Sequence, residues 1–150
     1  MIQPGLPAPP VELPDLNGVL HSLEDALRNG PVVLAFYKIS CPTCQLAFPF
    51  LDRLAGSANL FAVSQDDARD SREFNQRFGT SVPTLLDARP YPVSSAYQIT
   101  NVPTIFVIET DGRVSSAHHG FNKAELEKLG ERFGAAVFRE TDRVPILRPG

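Results

Sequence analysis

Two cysteines separated by two residues, in Cys41-Pro42-Thr43-Cys44, are the only cysteines of the 150-residue chain. On a helix that spacing sets the thiols one turn apart, where they can form a disulfide, exchange it with another molecule, or share a metal. Two cysteines are too few for a disulfide scaffold, and a chain of this length buries a core that needs no staple. Reactivity is the better reason for the pair.

If a helix begins at the pair, its unpaired amides and positive dipole end favour a thiolate on Cys41, below the ordinary thiol value of about 8.5. Cys44, one turn on and shielded, would resolve a mixed disulfide by intramolecular attack. Pro42 suits the first helical turn, where its missing N–H costs nothing, and Thr43 carries less information. The bland alternatives are a structural disulfide or a buried reduced pair. A zinc site needs two more ligands, and His118 and His119, adjacent on a strand, point to opposite faces, so neither metal nor cofactor is assigned. Lys38, three residues before Cys41, either adds positive potential to the thiolate or simply reaches solvent.

The elements that must position the pair are legible around it. "PVVLAFYKI" is dense in β-branched and aromatic residues and reads as a central strand covered on both faces, delivering the chain to Cys41. From Cys44, "QLAFPFLDRLAGS" carries a helical apolar stripe at 47, 50, 51 and 54, with Pro49 bending it and Gly56 ending it. "NLFAVSQ" is a second core strand, and "DDARDSREFNQRFG" a helix with early acids and late Arg77. This β, α, β order points to an α/β fold. Upstream, five prolines in the first 14 residues predict an extended segment lying across the surface. Asn17-Gly18 predicts a turn between short strands, and Ser22 caps a short helix closed by Gly30.

Downstream come a short strand "PTLLD", a brief helix around "SSAYQI", the strand "PTIFVIE", the hairpin turn "TDGR", the strand "VSSAHHG", and an amphipathic helix "NKAELEKLGERFGAAV" with 126, 129 and 133 on one face. Pro103, heading an apolar strand, cannot join a central ladder and marks a turn, where a cis bond is one solution.

These residues resemble a family. The strand "VVLAFYKIS", the CxxC pair, a helix, and later "VPTIFVIETDG" followed by "GF" look like the thioredoxin superfamily, more narrowly its TlpA-like and redoxin-type thiol-disulfide oxidoreductases. The resemblance covers about residues 5 to 137 and implies a thioredoxin-like fold, a central mixed β-sheet flanked by helices on both faces. Residues 1–137 would form the domain, and 138–150 a polar tail with no assigned role.

The resemblance makes Pro103 the family's cis-proline beside the dithiol, and gives the Val102 backbone the task of pairing with a substrate chain. A second "VPT" at Val82-Pro83-Thr84 reads instead as the start of a short edge strand. His119-Gly120-Phe121 matches a structural segment of these proteins, with Gly120 permitting a bulge or tight bend. The sequence also departs from the pattern. Ser40 stands where many thioredoxins carry Trp, and the chain has no Trp. Ala35 and Ala47 occupy positions where relatives place acids, leaving no identified proton acceptor for Cys44.

The implied activity is protein thiol-disulfide exchange, favoured in the reductase direction, with disulfide or dithiol proteins as substrates and an upstream thiol redox partner. One alternative is a thiol peroxidase, against which Leu34 and Lys38 replace the Pro and Thr of the peroxiredoxin PxxxTxxC motif. Another is a binding or copper-delivery module, weakened by the lack of a nearby Met. A net charge of −3 with scattered Lys and Arg gives no reason to expect nucleic acid. No apolar run approaches the roughly 20 residues that cross a bilayer. The opening "MIQPGLPAPPVELPDLNG" has no basic segment followed by an apolar one, so the expectation is a cytoplasmic protein, or a periplasmic one whose leader has been removed.

Overall fold

The computed structural model describes residues 1–150. In chain order its elements are β1 (Glu12–Pro14), β2 (Leu20–Ser22), α1 (Leu23–Leu27), β3 (Val32–Tyr37), α2 (Pro42–Asp52), β4 (Asn59–Ser64) and α3 (Ala68–Phe78). They continue with β5 (Thr84–Leu86), α4 (Pro92–Ala96), β6 (Thr104–Ile108), β7 (Val114–His119), β8 (Phe121–Asn122), α5 (Lys123–Phe133) and β9 (Leu147–Arg148).

Five strands form one mixed sheet in the order β5-β4-β3-β6-β7. β3 runs parallel to β4 and antiparallel to β6, and all six of its residues are buried. Because strand side chains alternate, β3 feeds two cores. Val33, Ala35 and Tyr37 face a cluster with Phe48 and Leu51 of α2, Phe74 of α3 and Leu126 of α5. Val32, Leu34 and Phe36 face the other, with Leu23 of α1, Val93 of α4, Tyr97 and the N-terminal residues Ile2, Val11 and Leu13. Continuous hydrophobicity in "VVLAFY" is what a strand covered on both faces requires.

The Pro-rich opening lies across the surface and is tied down: Tyr97 Oη donates to the Pro9 carbonyl at 2.7 Å, and Ile2 N donates to the Tyr97 carbonyl at 3.2 Å. β1 and β2 pair antiparallel around the Asn17-Gly18 turn, and Ser22 caps α1 by accepting from Asp25 N at 3.1 Å. α3 is the helix read from its early acids and late Arg77; Asp67 caps it and Gly79 ends it in the left-handed region.

α2 begins at Pro42, in the first-turn position read for that residue, and the Cys41 sulfur itself caps the helix. One element differs in position from its sequence reading. α4 spans Pro92–Ala96, ahead of "SSAYQI", because the buried Asp87 carboxylate accepts from Val93 N and Ser94 N at 3.3 and 2.7 Å and fixes the helix start there.

Residues 138–150 return to the domain. Arg53 Nη1 donates to the Val137 carbonyl and to Asp142 Oδ2, both at 2.7 Å, and β9 pairs antiparallel with β8. No helix is long and apolar enough to cross a membrane.

Candidate active site

β3 ends at Tyr37, and the chain turns through Lys38–Ser40 into Cys41, the N-cap of α2. Cys41 Sγ accepts from Cys44 N at 3.2 Å, so an amide at the positive end of the helix points at this sulfur. The same thiol donates to the Val102 carbonyl at 3.4 Å. Cys41 is half-buried, whereas Cys44 is fully buried in the core cluster behind it, and both are free thiols. Burial pushes the Cys44 thiol far above its ordinary range, and the hydrogen bond with Cys41 and the charges of Cys41 and Asp66 push it further. Pro42 occupies the first helical position, where no donor is needed.

Pro103 is buried immediately before β6, and the Val102–Pro103 peptide bond is cis, as is Arg89–Pro90. β6 lies next to β3, so Val102 arrives beside Cys41 through sheet pairing across a sequence separation of 61 residues. Of the two "VPT" segments, only 102–104 meets the dithiol; 82–84 leads into β5 at the sheet edge. A shallow cleft of about 100 Å³ adjoins the site, lined by Lys38, Gln65, Ile99, Thr100, Asn101 and Val102.

Lys38 is exposed, and its main chain does the local work: the Lys38 carbonyl accepts from Cys41 N at 3.3 Å and closes the turn before α2. Leu34 packs in the second core, so neither it nor Lys38 supplies the proline and threonine of a peroxidase motif. His118 and His119 flank neither cysteine in the sheet; they pair with Ile105 and Thr104 on β6.

Two features of the site escape a reading of the motif alone. Asp66 Oδ2 accepts from Ile39 N at 2.8 Å, which places a carboxylate under the Cys41 turn and within electrostatic reach of Cys44. The parallel register Tyr37↔Ser64 carries residues 65 and 66 alongside the turn that follows β3, a juxtaposition that no sequence pattern marks. Thr43, buried between the cysteines, donates through Oγ1 to the Pro149 carbonyl at 2.7 Å. No local pattern links positions 106 residues apart.

With this geometry in place, comparison with known proteins is decisive. The AhpC/TSA family matches residues 4–117. The chain belongs to the AhpC/TSA family. Within it, the chain is 31% identical over 131 residues to the thiol-disulfide oxidoreductase ResA of Geobacillus kaustophilus, covering 83% of this chain and 74% of that protein. Its structure resembles a thiol:disulfide interchange protein DsbE from Chlorobium tepidum with a TM-score of 0.77 at 25% identity, over 92% of this chain and all of that one. It also shares its fold with the peroxidoxin BcpB of Mycobacterium tuberculosis, at a TM-score of 0.72 and 24% identity over 88% and 94% of the two chains. The fold is thioredoxin-like, and the chain is a ResA-like thiol-disulfide oxidoreductase, an activity that implies protein thiol substrates.

Proposed function

We propose that Cys41 is the attacking thiol and Cys44 the resolving thiol of a protein disulfide reductase. The observation that carries this assignment is the asymmetry of the pair: Cys41 is half-buried with a helix amide aimed at its sulfur, while Cys44 is fully buried behind it.

The Cys41 thiolate, having released its proton to solvent, attacks one sulfur of a substrate disulfide. A Cys41–substrate bond forms as the substrate S–S bond breaks, and one substrate thiolate leaves. Two of the influences holding Cys44 protonated are its hydrogen bond with Cys41 and the Cys41 charge, and both vanish when Cys41 is tied up in the mixed disulfide. Cys44 therefore becomes easier to ionise only after the first step. Its thiolate then attacks Cys41 Sγ, expels the second substrate thiolate and leaves a Cys41–Cys44 disulfide. The substrate gains two electrons and an upstream dithiol partner restores them.

Substrate recognition rests on the Val102 backbone, which lies against the attacking sulfur and whose N–H donates to no group of the chain. An extended substrate segment pairing there needs little side-chain complementarity, which suits a range of protein partners. Burial of Cys44 supports the reducing direction. Ionisation of Cys44 adds little stability to the reduced pair, so the pair gives up electrons more readily than one whose thiolates are both stabilised.

The test is a redox titration of the pair read by alkylation mass shift, together with Cys44→Ser and Cys41→Ser. A reversible two-electron transition nearer about −270 mV than about −120 mV is expected. Cys44→Ser should accumulate a mixed disulfide with a disulfide substrate and Cys41→Ser should form none. A mixed disulfide that persists in Cys41→Ser would reverse the roles.

A further inference from the structure

Residues 146–150 run over the surface proposed to receive the substrate. Leu147 and Arg148 pair antiparallel with Asn122 and Phe121, and Lys123 N donates to the Ile146 carbonyl at 3.0 Å. The segment then passes Gly120, where an added Cβ would stand 2.6 Å from the Arg148 carbonyl oxygen. Pro149 takes the hydrogen bond from Thr43, inside the CxxC turn. Gly150 rests on Val102 so closely that a Cβ there would lie 2.1 Å from the Val102 carbonyl oxygen, the same oxygen that accepts from Cys41 Sγ.

We infer that the edge made by Gly120, Thr43 and Val102 is a groove for an extended strand, that residues 146–150 are its resident occupant, and that a protein substrate binds by displacing them. The inference rests on the reading of Val102 as the substrate-pairing residue.

Three observations make the occupant a displaceable one rather than a structural strap. Its apolar side chains do not enter the core: Ile146 is 74% and Leu147 65% exposed, and every residue from 145 to 150 is exposed. Its contact with Val102 is van der Waals only, because the Val102 N–H finds no acceptor in it, so an incoming strand that accepts from that N–H gains a hydrogen bond the segment does not make. The chain just before it is fixed independently, by Arg53 on Asp142 and by Val137 buried in the core, so 146–150 can lift while 137–144 stays in place. Two glycines supply the clearance: Gly120, at φ +76, lets the backbone of 148–150 cross it, and Gly150 lets the segment seat on the Val102 backbone.

The test compares the 150-residue chain, a chain shortened to end at Pro145, and the 150-residue chain carrying Gly150→Val, whose side chain cannot seat on Val102. Reduction of insulin disulfides is measured beside exchange with the small disulfide 2,2′-dithiodipyridine, which needs no strand pairing. Both variants should lower the KM for insulin by about tenfold, the factor recovered when a competing occupant is removed from most molecules. The small disulfide should react at a rate changed by less than about twofold, because it does not enter the strand groove. An added Ile-Leu-Arg-Pro-Gly peptide should inhibit the shortened chain competitively with insulin. Unchanged or raised KM in both variants overturns the inference.

A second measurement stands apart from turnover. A cysteine peptide activated as its pyridyl disulfide is coupled to Cys41 in the Cys44→Ser protein, and amide exchange at Lys123, which reports the bond to Ile146, is followed before and after. Loss of Lys123 protection on coupling supports displacement and retained protection overturns it. If no form of the protein reduces insulin, the reductase reading fails, and this exchange experiment still decides the fate of the segment.

Discussion

His118 offers a stability test whose sign is set by burial. On β7 it pairs in register with Ile105, and both of its ring nitrogens are buried without a hydrogen-bond partner. Burial drives its pKa below the usual histidine value of 6.5, and His119 adds to the effect while the Glu125 carboxylate opposes it. The unfolded chain therefore binds more protons than the native one just below pH 6.5. Stability is complete above that value and falls as pH drops towards the depressed native pKa, with a slope of at most about 1.4 kcal/mol per pH unit for a single proton. Replacing the ring with an apolar side chain removes both the proton linkage and the unsatisfied polar atoms. An unpaired buried polar group costs about 1–3 kcal/mol, and the slightly different shape of leucine returns part of that. His118→Leu is thus expected to be about 1–2 kcal/mol more stable at neutral pH, with the gap widening as pH falls. Urea unfolding of both proteins between neutral pH and about pH 5 measures this directly through the midpoint at constant slope. A variant less stable at neutral pH, or a gap that stays constant on acidification, would refute the argument by showing that the imidazole is paired in solution.

Asp66→Asn keeps an oxygen to accept from Ile39 N but removes a charge that holds the Cys44 thiol protonated. The pH at which Cys44 resolves a preformed Cys41 mixed disulfide at half its maximal rate should therefore move down in rapid-quench kinetics. Movement upward would instead make Asp66 the group that takes the Cys44 proton. The Arg53 guanidinium and the Arg139 amide lower Asp142 from 3.8 to about 2, so its contribution to stability is present above pH 3.8 and is lost as pH falls towards about 2. In Asp142→Asn the thermal midpoint should fall less steeply across that window than in the parent, and a parallel fall would mean that the Arg53–Asp142 contact does not persist in solution.

How much of this was legible in the sequence depends on how local the governing interaction is. β3 announced itself because six consecutive apolar residues have only one use, a strand with a core on each side, and Cys41 had to follow where that strand stopped. The cap of α1 was readable for the same reason, since Ser22 bonds an amide three residues away. α4 was misplaced because its start is set by Asp87, a buried acid that neither caps by sequence position nor belongs to an apolar pattern. α2 starts at Pro42 as read, but its N-cap is a cysteine, a role given by preference to Ser, Thr, Asp and Asn, so the cap itself went unread.

The site divides along the same line. The dithiol is a four-residue motif, and the sequence alone separated the shielded Cys44 from Cys41, which the structure leaves half-buried. Val102 could be joined to it only through the resemblance, since the β3–β6 pairing that brings it to Cys41 spans 61 residues and carries no mark in either segment. Asp66 and Pro149 left still less trace. Each bonds a position in or just before the CxxC turn through a single atom, so no periodicity, charge run or composition shift could report it. Yet Gly120 and Gly150 were visible all along as residues without a side chain, and only the crossing of two distant backbones explains why neither position has room for one. An extended chain already fits against Thr43 and Val102 in this protein, with its apolar side chains turned to solvent and the Val102 N–H left unpaired. On the proposed mechanism, a substrate strand that accepts from that N–H has an advantage over the resident segment at the residue lying against the Cys41 thiol.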